Sequence, residues 1–103
     1  MKVIDYKEFN ELVLEAKELV VVDFFANWCG PCEMLAPFLE NLQEEIKDVS
    51  FYKVNVDNEG ELANIYNISS IPTLLLFKDG NMIDKKIGFL PKDALRKWIE
   101  SYK

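Results

Sequence analysis

The stretch Leu19-Val20-Val21-Val22-Asp23-Phe24-Phe25 leads, through Ala26 and Asn27, into Trp28-Cys29-Gly30-Pro31-Cys32. Its first part is nearly all apolar and rich in valine, which reads as a strand buried on both faces in the middle of an α/β sheet. The residues after it are helical in pattern: Met34, Leu35, Phe38, Leu39, Leu42 and Ile46 recur on a helical period between Gly30 and Lys47. Pro37 lies inside that run and predicts a kink. Both cysteines of the 103-residue chain thus fall where a central strand gives way to a helix. Thiols at that spacing can close and reopen a disulfide with little backbone movement.

Three uses fit such a pair. A structural bridge closing so short a loop constrains the unfolded chain little. A zinc site needs about four ligands; with two cysteines and no histidine, carboxylates would have to complete it. Redox exchange is the usual use of a lone CxxC beside a βαβ pattern.

Outward from the centre the elements alternate. Lys2 to Ile4 is a short strand, and Asp5 with Glu8 has the spacing of a capping box. Phe9, Leu12, Val13 and Ala16 continue that helix. Downstream, Ser50 to Val56 is a strand with Phe51, Lys53 and Asn55 on one side, and Asp57 or Asn58 opens a short helix through Leu62, Ala63, Ile65 and Tyr66. Thr73 to Phe77 and Met82 to Ile87 are strands joined by the hairpin signal Asp79-Gly80. Pro91 suits the first turn of a last helix with Leu95, Trp98 and Ile99 inward. The order β-α-β-α-β-α-β-β-α predicts an α/β fold: a central mixed five-stranded sheet flanked by four helices. At 103 residues it is expected to form a single domain over 1–103.

The net charge of −6 is uneven, −7 over residues 1–51 and +1 over 52–103. An acidic chain without a basic stripe argues against nucleic acid as a ligand. Charges interrupt every apolar run at the N-terminus, so no signal-peptide core is read there, and no stretch is long enough to span a bilayer. The expected setting is cytoplasmic, where thiols are kept reduced.

Five segments, in order, resemble the thioredoxin family: Val22-Asp23-Phe24-Phe25-Ala26 before Trp28-Cys29-Gly30-Pro31-Cys32; Lys53-Val54-Asn55-Val56-Asp57; Ile71-Pro72-Thr73-Leu74; Lys78-Asp79-Gly80; and Gly88. The likeness covers essentially the whole chain and implies the thioredoxin fold. It departs from the common pattern at Glu33, where many members have lysine, at Phe25 in place of a frequent tryptophan, and at Ser70 in place of glycine.

The resemblance implies a small oxidoreductase that reduces disulfide-containing target proteins and is itself re-reduced by a thioredoxin reductase. It would work as a monomer, with no cofactor or metal beyond the redox-active Cys29–Cys32 disulfide. Helix N-termini favour an anion, and the family's attacking CxxC thiol has a pKa of about 7, so Cys29 is expected to be the nucleophile. Cys32, one helical turn on and expected to be less exposed, would resolve the mixed disulfide.

Asp23 sits in apolar company, where desolvation raises a carboxyl pKa. As in the family it would accept the Cys32 proton, with Lys53 as its partner; the competing view is a buried acid merely paired with Lys53. Pro31 restrains the turn and Gly30 admits a partner backbone. The family's Ile-Pro bond is cis and lies beside the dithiol, which implies the same for Pro72, with the Ile71 backbone free to pair with a target. Trp28, Gly30, Pro31, Ile71, Pro72, Gly88 and Phe89 would form an apolar docking surface, with Trp28 the firmest member and Phe89 the weakest.

Glu33 opposes a nearby thiolate, so the protein is expected to be slightly more reducing than a lysine-bearing relative. An oxidant or isomerase is disfavoured by Gly-Pro between the cysteines. A binding subunit that merely uses the scaffold would keep its role without either thiol.

Overall fold

In the computed structural model, which describes all residues 1–103, β2 (Leu19–Phe25) is the middle strand and every one of its residues is buried. It is flanked by β3 (Val49–Asn55), which runs parallel to it, and β4 (Thr73–Lys78), which runs antiparallel. β1 (Lys2–Val3) adds in parallel beyond β3, and β5 (Asn81–Ile87) adds antiparallel beyond β4. The sheet order is β1-β3-β2-β4-β5. The helices are α1 (Tyr6–Phe9), α2 (Gly30–Glu45), α3 (Gly60–Ile65) and α4 (Lys92–Glu100). This is the mixed five-stranded sheet with four helices expected from the sequence.

Side chains alternate across a strand, and β2 therefore feeds two cores. Leu19 and Val21 join Leu74, Leu76 and Phe51 beneath Leu35, Leu39 and Leu42 of α2 and Leu95, Trp98 and Ile99 of α4. Val20, Val22 and Phe24 join Leu75 and Phe77 against Phe9 and Val13 on the N-terminal side and Leu62 and Ala63 of α3. Asp23 and Phe25 share the parity of Val21, and Lys53 that of Phe51. All three thus belong to the face that α2 covers, which places an acid and a lysine beside the start of α2.

Several local readings shift. The Asp5–Glu8 capping box is present, but α1 is a single turn and the chain continues as a π turn over Asn10–Leu14. The spacing of Phe9 and Val13 serves either winding, so periodicity could not separate them. α2 contains Pro37 and ends at Glu45, short of Lys47, and Met34 on it is exposed. α3 begins at Gly60 rather than at Asp57 or Asn58, and Ile65 on it is exposed. The physical reason is that Asp57 is already engaged: its N–H donates to Asn55 Oδ1 (2.9 Å) and its carboxylate accepts from Trp28. Glu59, the residue before α3, directs its carboxylate instead to the Tyr6 N–H at the start of α1 (3.1 Å). Pro91 is the N-cap of α4, one position before the first turn. At the β4–β5 hairpin both Asp79 (φ 51°) and Gly80 (φ 80°) take positive φ, as a tight two-residue turn requires.

Candidate active site

β2 ends at Phe25, whose carbonyl accepts the Val56 N–H (2.9 Å), and the chain turns so that Cys29 N–H donates to Ala26 O (3.3 Å). Cys29 has extended backbone (φ −91°, ψ 109°) and is the N-cap of α2, its Sγ accepting the Cys32 N–H at 3.2 Å. A sulfur thus occupies the place a serine or aspartate oxygen takes at ordinary N-caps, facing the unpaired amides of a helix start. Pro31 lies in the first turn, where its missing N–H costs nothing. Cys29 and Cys32 are joined by a disulfide, with Cα atoms 5.3 Å apart. The two cysteines are equally buried at 4% exposure, so Cys32 is not the more hidden in this oxidised state. Phe25 and Ala26 lie beneath the pair, and Val56 and Ile71 pack against that cluster.

Trp28 stands at the rim, 72% exposed, with its indole N–H donating to Asp57 Oδ2 at 2.9 Å. A groove of about 370 Å³ runs beside it, lined also by Val56, Ile68, Ser69, Ser70 and Ile71. Gly30 and Pro31 are exposed and Ile71 is half-buried, while Pro72 is buried; Pro72 therefore underlies the surface instead of forming it. The Ile71–Pro72 bond is cis. Its loop is pinned by the Thr73 hydroxyl donating to Ser70 O (2.7 Å) and by the Gly88 N–H donating to Pro72 O (2.8 Å). Gly88 holds φ +92°, a conformation open to glycine. Phe89 is 37% exposed and rests against the Phe38 ring, with centroids 5.7 Å apart.

Asp23 lies inside, 1% exposed, and neither carboxylate oxygen has a hydrogen-bond partner in the protein. Desolvation pushes its pKa up to about 7, against the opposing pull of the Lys53 ammonium. Lys53 is level with Asp23 in the β2–β3 register, yet no ion pair forms. Its Nζ sits over the Phe25 ring, 4.2 Å from the centroid. A small pocket of about 120 Å³ brings Lys53, Phe25, Cys32 and Glu33 together. No cluster of three or more metal-binding side chains is present, and no helix is long and apolar enough to cross a membrane.

Two contributions escaped the sequence reading. Asp57 was read as a helix start and as the end of a family-like segment, not as a partner of Trp28, although Asn55 two residues before it is an Asx-turn signal. Asn67, at φ 55°, closes α3 through Ile68 N–H to Ala63 O (2.9 Å) and Asn67 N–H to Asn64 O (3.1 Å), and so aims the chain at Ser69–Pro72.

A family model described as Thioredoxin matches residues 1–101. A thioredoxin of Mycoplasmoides gallisepticum is 46% identical over 100 residues, covering 97% of this chain and 100% of that protein. A thioredoxin of Chlamydia caviae is 46% identical over 102 residues, covering 99% and 98%. A solved structure of Plasmodium falciparum thioredoxin superposes with a TM-score of 0.92 at 38% identity, covering each chain in full. The close cysteine pair accordingly serves dithiol–disulfide exchange with disulfide-containing proteins, an oxidoreductase activity. Overall fold and sequence agree over nearly the full length, and the chain belongs to the thioredoxin family.

Proposed function

We propose that this chain, working as one domain and as a monomer in the cytoplasm, reduces protein disulfides with Cys29 as nucleophile and Cys32 as resolving thiol. The observation that carries the assignment is the N-cap position of Cys29, whose sulfur accepts the Cys32 N–H at 3.2 Å. A thiolate there meets the positive end of α2, and a thiolate is the form that attacks disulfides. Cys29 attacks a target sulfur and expels the other target sulfur as a thiolate, leaving a mixed disulfide. Cys32 then passes its proton to Asp23, attacks Cys29 Sγ, and releases the second target sulfur. The resulting Cys29–Cys32 disulfide returns to the dithiol through a thioredoxin reductase, with no bound cofactor in this chain.

Asp23 suits the acceptor role because burial keeps its pKa near neutrality. Lys53 moderates that shift from the Phe25 ring and does not neutralise the acid in an ion pair. Trp28, Gly30, Pro31, Ile71, Gly88 and the exposed side of Phe89 form the docking surface. Pro72 supports it from below, and the Ile71 backbone offers strand-like pairing to an extended target segment.

Single-cysteine variants test the assignment in a coupled assay with a reductase and a protein disulfide. Cys29→Ser is inactive and forms no mixed disulfide. Cys32→Ser retains its targets covalently, seen as adducts on non-reducing gels. Equal trapping by both variants refutes the roles.

A further inference from the structure

We propose that Phe25 is a positioning residue for proton transfer at Cys32: its ring holds the Lys53 ammonium away from the Asp23 carboxylate. The proposal rests on the reading of Asp23 as proton acceptor.

The β2–β3 register sets Lys53 directly beside Asp23, and Phe25 follows two residues on along the same face. The flexible lysine stem thus has two candidate partners, a carboxylate and a ring. It takes the ring, with Nζ 4.2 Å from the centroid, while both Asp23 oxygens stay unpartnered. The choice has a physical cause. Pairing with a carboxylate only 1% exposed would gain Coulombic attraction but draw the ammonium out of water, two effects that largely offset each other in a buried pair, so a further attraction decides. Over the face of Phe25 the ammonium finds the negative side of the ring quadrupole. It also remains half-buried at the small pocket shared with Cys32 and Glu33.

Other charges do not set the state of Asp23. Its neighbour on β4 is Leu74, and α4 presents Leu95, Trp98 and Ile99 to this core. From α2, Cys32 and Glu33 line the small pocket with Lys53 and Phe25, and Glu33 is exposed to solvent. Lys53 is the one charge that acts on Asp23. An ammonium paired to it would hold the carboxylate ionised and make it a weaker base. In the mixed disulfide the Cys32 thiol gives its proton to Asp23, and the Cys32 sulfur then bonds to Cys29 Sγ. The Cys29–target bond breaks as the target sulfur leaves with the electron pair. Weakening Asp23 as a base slows the first of these events.

The test is a carbon-13 NMR titration of the Asp23 carboxyl in the oxidised protein. It is run on wild type, Phe25→Leu, Phe25→Trp and the Phe25→Leu/Lys53→Met pair. In Phe25→Leu the midpoint falls by about one pH unit as Lys53 moves onto the acid. Phe25→Trp keeps the wild-type midpoint, and the double variant shows no fall. The acidic limb of mixed-disulfide resolution, measured in single turnovers, moves with the midpoint.

Should Phe25→Leu not fold, wild type supplies its own readout: the Lys53 ε-methylene protons resonate upfield from the ring current of Phe25. Unshifted lysine protons, an unmoved midpoint in Phe25→Leu, or an equal fall when Lys53 is absent overturns the part assigned to Phe25. A midpoint that moves while the rate profile stays put overturns the proton-transfer role, and with it the reading of Asp23.

Discussion

Trp28 and Asp57 are joined at 2.9 Å across the top of the molecule, the indole N–H donating to a carboxylate 29 residues further along the chain. Asp57 is fixed in turn by its N–H, held by the buried Asn55. An exposed aromatic ring beside the reacting sulfurs is thereby held in one orientation, ready to meet a partner without first losing rotamer freedom. Asp57→Ala releases it. The expected result is a rise of about fivefold in KM for a protein disulfide, corresponding to about 1 kcal/mol. The kcat is little changed. A steady-state assay with a folded protein substrate reads it, and an unchanged KM would show that the ring's orientation does not limit docking.

The buried acid gives stability a definite pH dependence. The folded pKa of Asp23, about 7, lies above its ordinary value of 3.8, so the native state binds a proton that the unfolded state has already released between those two values. Stability is full below about pH 4 and falls as pH rises through 7, by about 4 kcal/mol at most. Asp23→Ala removes the penalty. In urea titrations of the oxidised protein the variant is expected to match wild type near pH 4 and to exceed it by about 3 kcal/mol at pH 8.5. A difference that stays constant with pH would place its origin elsewhere than in ionisation.

Glu33 stands exposed in the first turn of α2, one residue past Cys32. A negative charge there opposes a thiolate at Cys29, and a positive one favours it. Glu33→Lys should therefore stabilise the reduced form and raise the redox potential. Water screens the interaction, so the shift is small, on the order of 10 mV. Equilibration against glutathione measures it; a potential that stays fixed or drops contradicts the sign.

Gly80 is the position least tolerant of a side chain. At φ +80°, an added Cβ would lie 2.8 Å from the Leu14 carbonyl oxygen, a backbone atom that cannot turn aside. Gly80→Ala is expected to cost about 1–3 kcal/mol in urea unfolding. Disulfide-exchange activity at 25 °C should survive, because the hairpin lies outside the site. A loss below about 0.5 kcal/mol would mean that the π turn carrying Leu14 yields readily.

Most of the architecture was legible because β2 states its burial on both faces and the cysteines mark where α2 begins. The capping box at Asp5 and the turn at Asp79-Gly80 are local chemistry, and local chemistry reads well. The reading failed where long-range partners decide. Asp57 caps no helix because Trp28, far away in sequence, claims its carboxylate. Lys53 was named as the partner of Asp23 from the family resemblance; it acts on the acid through its charge, but the seat of its ammonium over the Phe25 ring is a contact that no local pattern announces. Met34 and Ile65 fit a helical period and still face water, because periodicity marks a stripe without its edges.

The position of β2 in the sheet has one more consequence. Breathing motions of a sheet begin at its margins, here the two-residue β1 and the half-exposed β5, and reach the innermost strand last. Both Asp23 and the lead into Cys29 hang from that innermost strand. The amide protons of Val20 to Phe24 should therefore exchange with deuterium only when the whole molecule comes apart, and a partner can pull on the sulfurs without loosening the scaffold beneath them.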